Sequence, residues 1–475
     1  MSSPLPGPGT AAASPAAASP ASAGRDRTLR SRILAFNLWD GGMSAFSSVI
    51  LTFVFATYVT SGVASGGIEG EAAIAAARDH GAQVVSTAQA IGAIAIALLA
   101  PLLGNLADTG GRRNTLLRIT TLLTVLTVAL MPLTAPRPDH LVLGASLIAI
   151  GVVFSELAGV MVNSVLPQIS TPADRGRVSG TAWAVGYWGS IGCLALVVVL
   201  FVMPGTGLLG ITGDDAWNLR AIPAFVAVWI LLGTIPLMRR APELPARDGA
   251  ARWTPWQGYA EIGRRIVGAV RHEPVMLQYL IASAIYRDGL GSIFSLAGVI
   301  AAASYGFSTT QIIVFGIAAN LVAGFGVWIG GKLDDRLGPR LVIIGGCAAI
   351  ILIGLVILAF DATAVFWVAG LSLCLFVGPV QSASRNLLTR LSLPSRETEN
   401  FGLYATTGRA LGFLGTAAYT LTVAWFGDAR LGIIGILAVL VVGLVAFVPV
   451  RLGAAGRPLP ATADEAVTPD SPRGE

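Results

Sequence analysis

The sequence predicts an all-α, polytopic membrane protein with twelve transmembrane helices, arranged as two parallel repeats of six helices. Three observations predict this fold class: the composition, the number of long apolar stretches, and a duplicated set of charged, glycine-rich segments. Of the 475 residues, 54% are hydrophobic and 12% are charged. A soluble fold of this length needs much more polar surface to cover its core.

The apolar stretches account for the twelve helices. Each is about 20 residues long, which is the length that a helix needs to cross the hydrocarbon core of a bilayer. The buried core helices of a soluble protein are neither as long nor as numerous. The stretches are centred near Phe46, Gly92, Thr124, Phe154, Leu194, Val228, Ala284, Phe315, Ile350, Leu373, Leu411 and Val439.

The arginines predict the orientation of the helices. They cluster before the first apolar run, in alternate loops and between the sixth and seventh runs, whereas the other loops carry only Arg78, Arg137, Arg220 and Arg430. Because cytoplasmic loops retain Lys and Arg, we expect both termini and the central loop in the cytoplasm of a cell bounded by this membrane. The net charge of +5 therefore indicates topology, and no nucleic-acid partner is expected. Scarce lysine with abundant Ala and Gly favours a bacterial source.

The same pattern predicts the domain boundaries. We expect a disordered tail rich in Pro, Ala, Ser and Gly at residues 1–30, a helical bundle at 31–238, a basic cytoplasmic linker at 239–273, a second bundle at 274–453 and a disordered tail at 454–475. No signal-peptide pattern precedes the first apolar run, so no cleaved leader is expected. The three cysteines lie in apolar runs without metal-ligand spacing, and no metal or cofactor is expected.

Two decapeptides are the clearest sign of an internal repeat. GNLADTGGRR (104–113) and GKLDDRLGPR (331–340) share Gly, Leu, Asp, Gly and Arg at positions one, three, five, eight and ten. Two further pairs match in the same order: DGGMSAFS (40–47) with DGLGSIFS (288–295), and PADRGRVSGTAWAVG (172–186) with PSRETENFGLYATTG (394–408). An even number of spans in each half makes the two halves parallel repeats.

Each decapeptide joins the second and third helices of its half, and we expect both on the cytoplasmic side. Their glycines permit tight turns and close helix contact, and their arginines stay in the cytoplasm. Asp108 and Asp335 can face the positive N-terminus of a helix in the other half, or an arginine near it; the contact with the helix is worth about 0.3–2 kcal/mol, which a transport cycle can break. A plain loop would explain one copy, but duplication favours a gate, formed by Gly104, Asp108, Gly111, Arg112, Arg113, Gly331, Asp335, Arg336, Gly338 and Arg340.

Duplicated G-x-L-x-D-x-x-G-x-R loops in a six-plus-six chain resemble the major facilitator superfamily over roughly residues 30–453. Longer segments narrow the resemblance: FNLWDGGMSAFSSVILTFVFATY (36–58), VNSVLPQI (162–169), IYRDGLGSI (285–293) and GPVQSASRNLLTRLSLPSRETENFGLYATTGRALGFLG (378–415). They are similar to the bacterial branch of the autophagy-linked vacuolar amino-acid effluxer family. The resemblance implies amino-acid transport and a central cavity lined by the first, fourth, seventh and tenth helices.

Ionisable residues within membrane helices are functional candidates by default, because their burial in lipid is costly. A carboxylate there can carry protons, and an arginine can bind a substrate carboxylate through two hydrogen bonds. Alternatively these groups pair with one another, for example Asp40 with Arg409. Glu156 is favoured as the proton carrier, since no cation lies near it in the sequence. The candidates are Asp40, Glu156, Asp288, Arg385 and Arg409, with the polar residues Asn37, Asn163, Gln381 and Tyr404.

Arg287 also lies in the seventh apolar run, next to Asp288. Adjacent residues project about 100° apart on a helix, so only one of the two needs to face the cavity.

These patterns predict a monomeric secondary transporter that works by alternating access between the two halves. We expect the solute to be small and polar, an amino acid by preference, with export favoured and protons as a possible coupling ion. The alternatives are a drug or sugar carrier and, in a different class, a non-transporting receptor or scaffold. The sequence has no Walker A motif and no dinucleotide-binding pattern, so neither direct ATP-driven transport nor an enzyme is predicted.

Overall fold

The computed structural model describes residues 20–203, 207–211, 213–242, 264, 273–393 and 396–450, and these residues form helices and loops without a strand. Residues 1–19, most of the predicted linker at 239–273 and the predicted tail at 454–475 lie outside the described residues. The first helix begins at Pro20, so residues 20–30, which the sequence analysis assigns to the tail, are helical. The alanines and arginines of this segment favour helix and extend the first membrane helix toward the N-terminus.

Ten helices in the described part of the chain are long and apolar enough to cross a membrane. In chain order we name them spans 1 to 10. They are Arg27–Val63, Glu71–Gly110, Arg113–Leu133, Pro138–Asn163, Arg175–Val202, Asp214–Arg240, Pro274–Tyr305, Val314–Leu337, Pro339–Ala359 and Thr363–Leu391.

Two shorter elements complete the bundle. Span 11 consists of two consecutive helices, Glu397–Leu411 and Leu414–Phe426, and span 12 is the helix Gly432–Phe447. Within the described residues there are thus six spans before the linker and six after it. The predicted fold class is confirmed.

Local sequence explains where several helices begin and end. Pro274 and Pro339 occupy the first turns of spans 7 and 9, where the missing N–H of proline leaves no hydrogen bond unmade. Ser308 and Gln311 form a reciprocal capping box at the start of the helix that contains span 8. Span 1 departs from a regular α-helix, because residues Phe46–Phe53 form a π-helical stretch, a feature that is frequent at functional sites.

The two halves meet mainly through two helix pairs, span 5 with span 8 and span 2 with span 11. Small residues allow these helices to approach closely. A Cβ atom at Gly180 would lie 2.8 Å from the Cα atom of Gly331, and one at Gly402 would lie 2.5 Å from the carbonyl oxygen of Ala100. Such contacts are the usual basis of helix packing in membranes, where the hydrophobic effect does not drive helices together.

The outer surface of the bundle is apolar. Leu232, Leu352, Val368 and Val445 are each more than 60% exposed, at 66%, 64%, 69% and 65%. A soluble protein rarely exposes this much contiguous apolar surface. The lipid bilayer is therefore the environment in which this surface is stable.

Candidate functional site

The duplicated decapeptide loops lie at one end of the bundle, which we name the basic end. Span 2 and span 8 finish there, and span 5 and span 11 begin there. Asp335, at the end of span 8, accepts hydrogen bonds from the backbone N–H groups of Gly176 and Arg177, at 2.7 and 3.0 Å. Both donors belong to the first turn of the helix Arg175–Val197 in the other half. The carboxylate thus satisfies free N–H groups and faces the positive end of a helix dipole.

The first half repeats this contact with its own aspartate. Asp108, near the end of span 2, accepts a hydrogen bond of 2.9 Å from the backbone N–H of Glu399. Glu399 lies in the first turn of the helix Glu397–Leu411, in the second half. Each half therefore places the fifth residue of its decapeptide on a helix N-terminus of the other half.

The first glycine of each decapeptide allows this contact. A Cβ atom at Gly104 would lie 2.5 Å from the carbonyl oxygen of Thr398, and one at Gly331 would lie 2.6 Å from that of Gly176. Real Cβ atoms do not approach backbone oxygens so closely. Any larger residue at either position would push the two halves apart at the basic end.

The eighth residue of each decapeptide ends a helix with a positive φ angle. Gly111 has φ +59° at the end of span 2, and Gly338 has φ +83° between spans 8 and 9. Glycine adopts this conformation without the steric penalty of a Cβ atom. The neighbouring Arg112 and Arg336 are exposed at the basic end.

The tenth residue of each decapeptide binds the end of the last span of its own half. Arg113 is 2% exposed and donates to the carbonyl oxygen of Pro242, just after span 6, at 3.0 Å. Arg340 donates to the carbonyl oxygens of Val448 and Val450, just after span 12, at 2.7 and 2.9 Å. From the sequence, these arginines are expected to stay in the cytoplasm as part of a gate; in the structure they donate to helix-terminal carbonyls within each half.

A buried arginine connects the halves one layer deeper. Arg385 of span 10 is 4% exposed, and its guanidinium reaches into the first half. It donates to the side chain of Asn163 at 2.9 Å, to the hydroxyl and carbonyl oxygens of Ser179 at 3.0 and 2.8 Å, and to the carboxylate of Asp40 at 3.4 Å. Three of the predicted candidates, from spans 1, 4 and 10, therefore meet at one point.

Beyond Asp40, on the side away from the basic end, lies a cavity of about 880 Å³. Its lining runs along span 1 from Asp40 to Phe53 and along span 7 from Gly291 to Ala301, with residues from spans 5, 8, 9, 10 and 12. Most of the lining is apolar, and the polar part includes Ser44, Ser48 and Thr52. Of the nine candidate side chains, all of which the structure describes, Asp40 is the one that lines this cavity.

The family resemblance implies a cavity lined by spans 1, 4, 7 and 10, and this is only partly correct. Spans 1, 7 and 10 contribute, whereas the described lining contains no residue of span 4. Spans 5, 8, 9 and 12 contribute as well, because the cavity lies between spans 1 and 5 of the first half and the helices of the second half.

Glu156 and Arg409 form a second ion pair between the halves. Their side chains remain 40% and 36% exposed, so this pair is more accessible than that of Asp40 and Arg385. The suggested pair of Asp40 with Arg409 is wrong, since each has another partner. Glu156 is favoured as a proton carrier because no cation lies near it in the sequence, but in the fold Arg409 pairs with it from 253 positions along the chain.

Asp288 occupies the repeat-equivalent position of Asp40 but has a different partner. Its carboxylate accepts a hydrogen bond of 2.6 Å from the backbone N–H of Gly415. Gly415 lies in the first turn of the helix Leu414–Phe426, where span 11 resumes after its break. Asp288 therefore stabilises the N-terminus of a half-helix inside the bundle.

The remaining polar candidates are placed apart from the cavity. Asn37 is 8% exposed, and its Oδ1 atom has no hydrogen-bond partner among the described residues. Gln381 is half-buried on span 10. Tyr404 is half-buried on span 11, where its ring stacks on that of Tyr279 with centroids 6.3 Å apart. The guanidinium of Arg287 lies over the Tyr404 ring.

Two groups of residues at the site were missed by the sequence analysis. Ser44, Ser48 and Thr52 follow Asp40 at intervals of four residues, a spacing that places them on one helix face. This pattern was available in the sequence. Ser179 binds Arg385 through its hydroxyl and carbonyl oxygens, and no sequence signal distinguishes it from other serines.

Comparison with known proteins agrees with this architecture. The family model described as "Vacuole effluxer Atg22 like" matches residues 74–457. The chain is 21% identical over 421 residues to an uncharacterized MFS-type transporter of Bacillus subtilis, YxiO, across 87% of this chain and 93% of that protein. It is 26% identical over 289 residues to autophagy-related protein 22 of Cryptococcus neoformans, across 56% of this chain and 51% of that protein.

Solved structures share the fold at low sequence identity. The MFS proton:xylose symporter XylE superposes with a TM-score of 0.66 at 12% identity, covering 89% of this chain and 95% of that one. A bacterial homologue of the iron transporter ferroportin, in its outward-facing state, gives 0.64 at 14% identity, covering 89% and 99%. Together with the match to the family model over most of the chain, these likenesses show that the protein belongs to the Atg22-like vacuole effluxer family and is a transporter of the major facilitator type.

Proposed function

We propose that this transporter exports a small polar solute, an amino acid by preference, by alternating access, and that protons drive the export. The observation that supports this proposal is the asymmetry between the two ends of the bundle. The halves are joined at the basic end by Asp108, Asp335 and Arg385, while the cavity lies beyond Asp40 on the other side. A closed end and a cavity toward the other end are what one state of a rocking transporter requires.

The contacts between the halves are weak enough to break in each cycle. A carboxylate on a helix N-terminus contributes about 0.3–2 kcal/mol. Two such contacts bias the equilibrium between states without locking it. The decapeptides therefore act as a pair of gates that open together when the halves rock in the other direction.

Asp40 is our candidate for the residue that couples protons to this motion. It lines the cavity, and its carboxylate lies 3.4 Å from Arg385 of the other half. A proton or a cationic amino group at Asp40 weakens its attraction to Arg385, and this loosens a connection between the halves. Glu156 is the second candidate, since its pair with Arg409 also joins the halves.

An amino acid with an apolar side chain suits the cavity. The lining offers one carboxylate, a row of hydroxyls and many apolar side chains, including Phe53, Phe294 and Phe315. The family description, a vacuole effluxer, supports export. A cationic amphiphilic drug is the alternative that the aromatic lining favours, and a sugar is disfavoured because it needs more hydrogen-bond partners.

For orientation, we propose that the basic end faces the cytoplasm of a bacterial cell, with the protein monomeric in the plasma membrane. The arginine-rich loops support this orientation. The bacterial relative supports the setting, although other relatives are fungal proteins named for autophagy. A non-transporting receptor is disfavoured, because a receptor has no need of two breakable gates around a cavity.

The experiment is flux in proteoliposomes that contain the purified protein. Leucine and other radiolabelled amino acids, a cationic dye and a sugar are compared, each with and without an imposed proton gradient. We expect gradient-dependent amino-acid flux that Asp40→Asn makes insensitive to pH, with Asp79→Asn, an exposed aspartate on span 2, as the charge-matched control. Flux of the dye alone would select the drug carrier, and a pH response lost only in Glu156→Gln would move the proton role to Glu156.

A further inference from the structure

Arg287, in the middle of span 7, is a membrane-embedded cation for which the described residues provide no acidic partner. Among the described residues no carboxylate lies within ion-pair distance of it, and its buried Nη1 atom has no hydrogen-bond partner. A charged side chain within the bundle is costly unless something neutralises it. Arg287 therefore differs from the other intramembrane charges of this protein.

Those other charges all have partners. Arg385 pairs with Asp40, and Arg409 pairs with Glu156. The carboxylate of Asp288 accepts a hydrogen bond from the backbone of span 11. The first half offers no counterpart to Arg287, because Trp39 stands beside Asp40 at the equivalent position of the repeat.

The described residues hold the guanidinium of Arg287 in place without accepting hydrogen bonds from it. The carbon at the centre of the guanidinium lies 3.6 Å from the centroid of the Tyr404 ring. A Cβ atom at Gly408, one turn further along span 11, would lie 3.1 Å from Nη2 of Arg287, so a small residue there leaves room for the group. Stacking on a ring covers one face of the guanidinium, whereas its N–H donors point outward in the plane.

Arg287 lies on the same face of span 7 as the cavity lining. Gly291, Phe294 and Gly298 line the cavity and follow Arg287 by four, seven and eleven residues, a spacing that keeps them on one helical face. A Cβ atom at Gly291 would meet nothing within 4 Å. Arg287 therefore lies one turn before the cavity lining on span 7, next to the open space at Gly291.

We propose that Arg287 is the carboxylate-binding residue for the transported solute. A planar guanidinium binds a carboxylate through two parallel hydrogen bonds. The single negative charge of a monocarboxylate would neutralise the positive charge of Arg287. The inference rests on the proposed function, since it names the residue that binds the carboxylate of the transported amino acid. It also accounts for the presence on span 7 of a positive charge that is unpaired among the described residues, because the solute provides the counter-charge in each transport cycle.

The test is binding of matched carboxylates and amides to the purified, full-length protein in detergent. Leucine is compared with leucinamide, and isocaproate, which is leucine without its amino group, with isocaproamide. Affinities are taken from the shift of the unfolding midpoint with ligand concentration. The wild type is compared with Arg287→Gln, Arg287→Lys and the control Arg78→Gln, which removes an exposed arginine at the end of span 2 away from the basic end.

We expect the wild type and Arg78→Gln to bind each carboxylate about 10- to 100-fold more tightly than its amide, as the loss of a charged hydrogen bond implies. Arg287→Gln should abolish this preference and leave the affinity for the amides unchanged. Arg287→Lys should keep part of the preference for the carboxylate, because the lysine retains a positive charge at the same position. Because each ratio is measured on one preparation, a change in yield does not affect it.

Two outcomes would overturn the inference: no preference for the carboxylate in the wild type, or the same preference in Arg287→Gln. Failure of the proposed function has a different signature. In that case amino-acid flux is absent from proteoliposomes, while the isocaproate preference persists and still depends on Arg287.

Discussion

At the residue scale, Arg385 is the most highly connected polar group between the halves. Its donors reach three elements of the first half, and the residue is 4% exposed. Arginine suits this position because its five N–H donors lie in one plane and its charge persists in a buried site. Lysine would offer a point charge that cannot reach Asp40, Asn163 and Ser179 at once.

We predict that Arg385→Gln destabilises the folded protein more than Asp40→Asn does. Removing the arginine breaks the pair with Asp40 and also removes the hydrogen bonds to Asn163 and Ser179, and breaking a pair with a buried partner in this way costs about 3–5 kcal/mol. Removing the charge of Asp40 leaves Arg385 with its bonds to Asn163 and Ser179, so the loss should be about 1–3 kcal/mol. Chemical unfolding in detergent measures both, and an equal or reversed order would contradict the connection described here.

Whether the sequence predicts a contact depends on how far apart its two residues lie along the chain. The residue types at the site were identified because charges in apolar runs are rare. Their partners were not, because Glu156 and Arg409 are 253 positions apart and Asp40 and Arg385 are 345 apart. One sequence contains no signal that relates residues so distant, and the suggested pair of Asp40 with Arg409 was wrong for this reason.

At the element scale, the break in span 11 is the main departure from regular helices in the second half. The helix stops at Leu411 and resumes at Leu414, and Asp288 binds the N-terminus of the second piece. Discontinuous helices are tolerated within a membrane where other groups satisfy the free backbone atoms. The carboxylate of span 7 does so here, and it couples that span to span 11.

We predict that Asp288→Ala loosens the start of the second piece of span 11. Loss of a hydrogen bond from a backbone N–H to a charged group corresponds to about 1.5–3 kcal/mol. Amide hydrogen exchange at Gly415 should therefore become about 10-fold faster or more. Ser295→Ala, in the same span, is the control and should leave that exchange rate unchanged; equal protection in both variants would show that Asp288 is not the cap.

The sequence predicts the twelve spans but not this break. Each span is signalled by about 20 consecutive apolar residues, a strong and local signal. Gly408, Gly412 and Gly415 indicate close helix packing equally well, so they do not locate an interruption. Nor does the sequence predict which faces line the cavity, because the lining comes from helices that are distant along the chain.

At the scale of the whole molecule, duplication of the chain produces two contacts of the same geometry between the halves. Asp108 and Asp335 each bind a helix N-terminus of the other half, and Gly104 and Gly331 each allow the close approach. The repeat was recognisable from the decapeptides alone. The structure adds that both contacts are formed in the same state, at the end opposite the cavity.

The account rests on the claim that the two repeats rock, so that one end opens as the other closes. Pairs of spin labels can report on each end in lipid. Thr115→Cys and Leu341→Cys place exposed labels on spans 3 and 9 at the basic end, while Arg137→Cys and Asp361→Cys place exposed labels at the opposite end. The native cysteines are buried, so the introduced pairs are labelled selectively.

The most direct measurement is the distance between the labels of each pair, with and without the double substitution Asp108→Asn and Asp335→Asn. Each lost contact is worth about 0.3–2 kcal/mol, so the ratio of open to closed molecules at the basic end should rise about threefold or more. The account predicts that a longer distance at the basic end gains population together with a shorter distance at the opposite end. Distances that stay fixed at both ends, or that lengthen at both ends together, would contradict it.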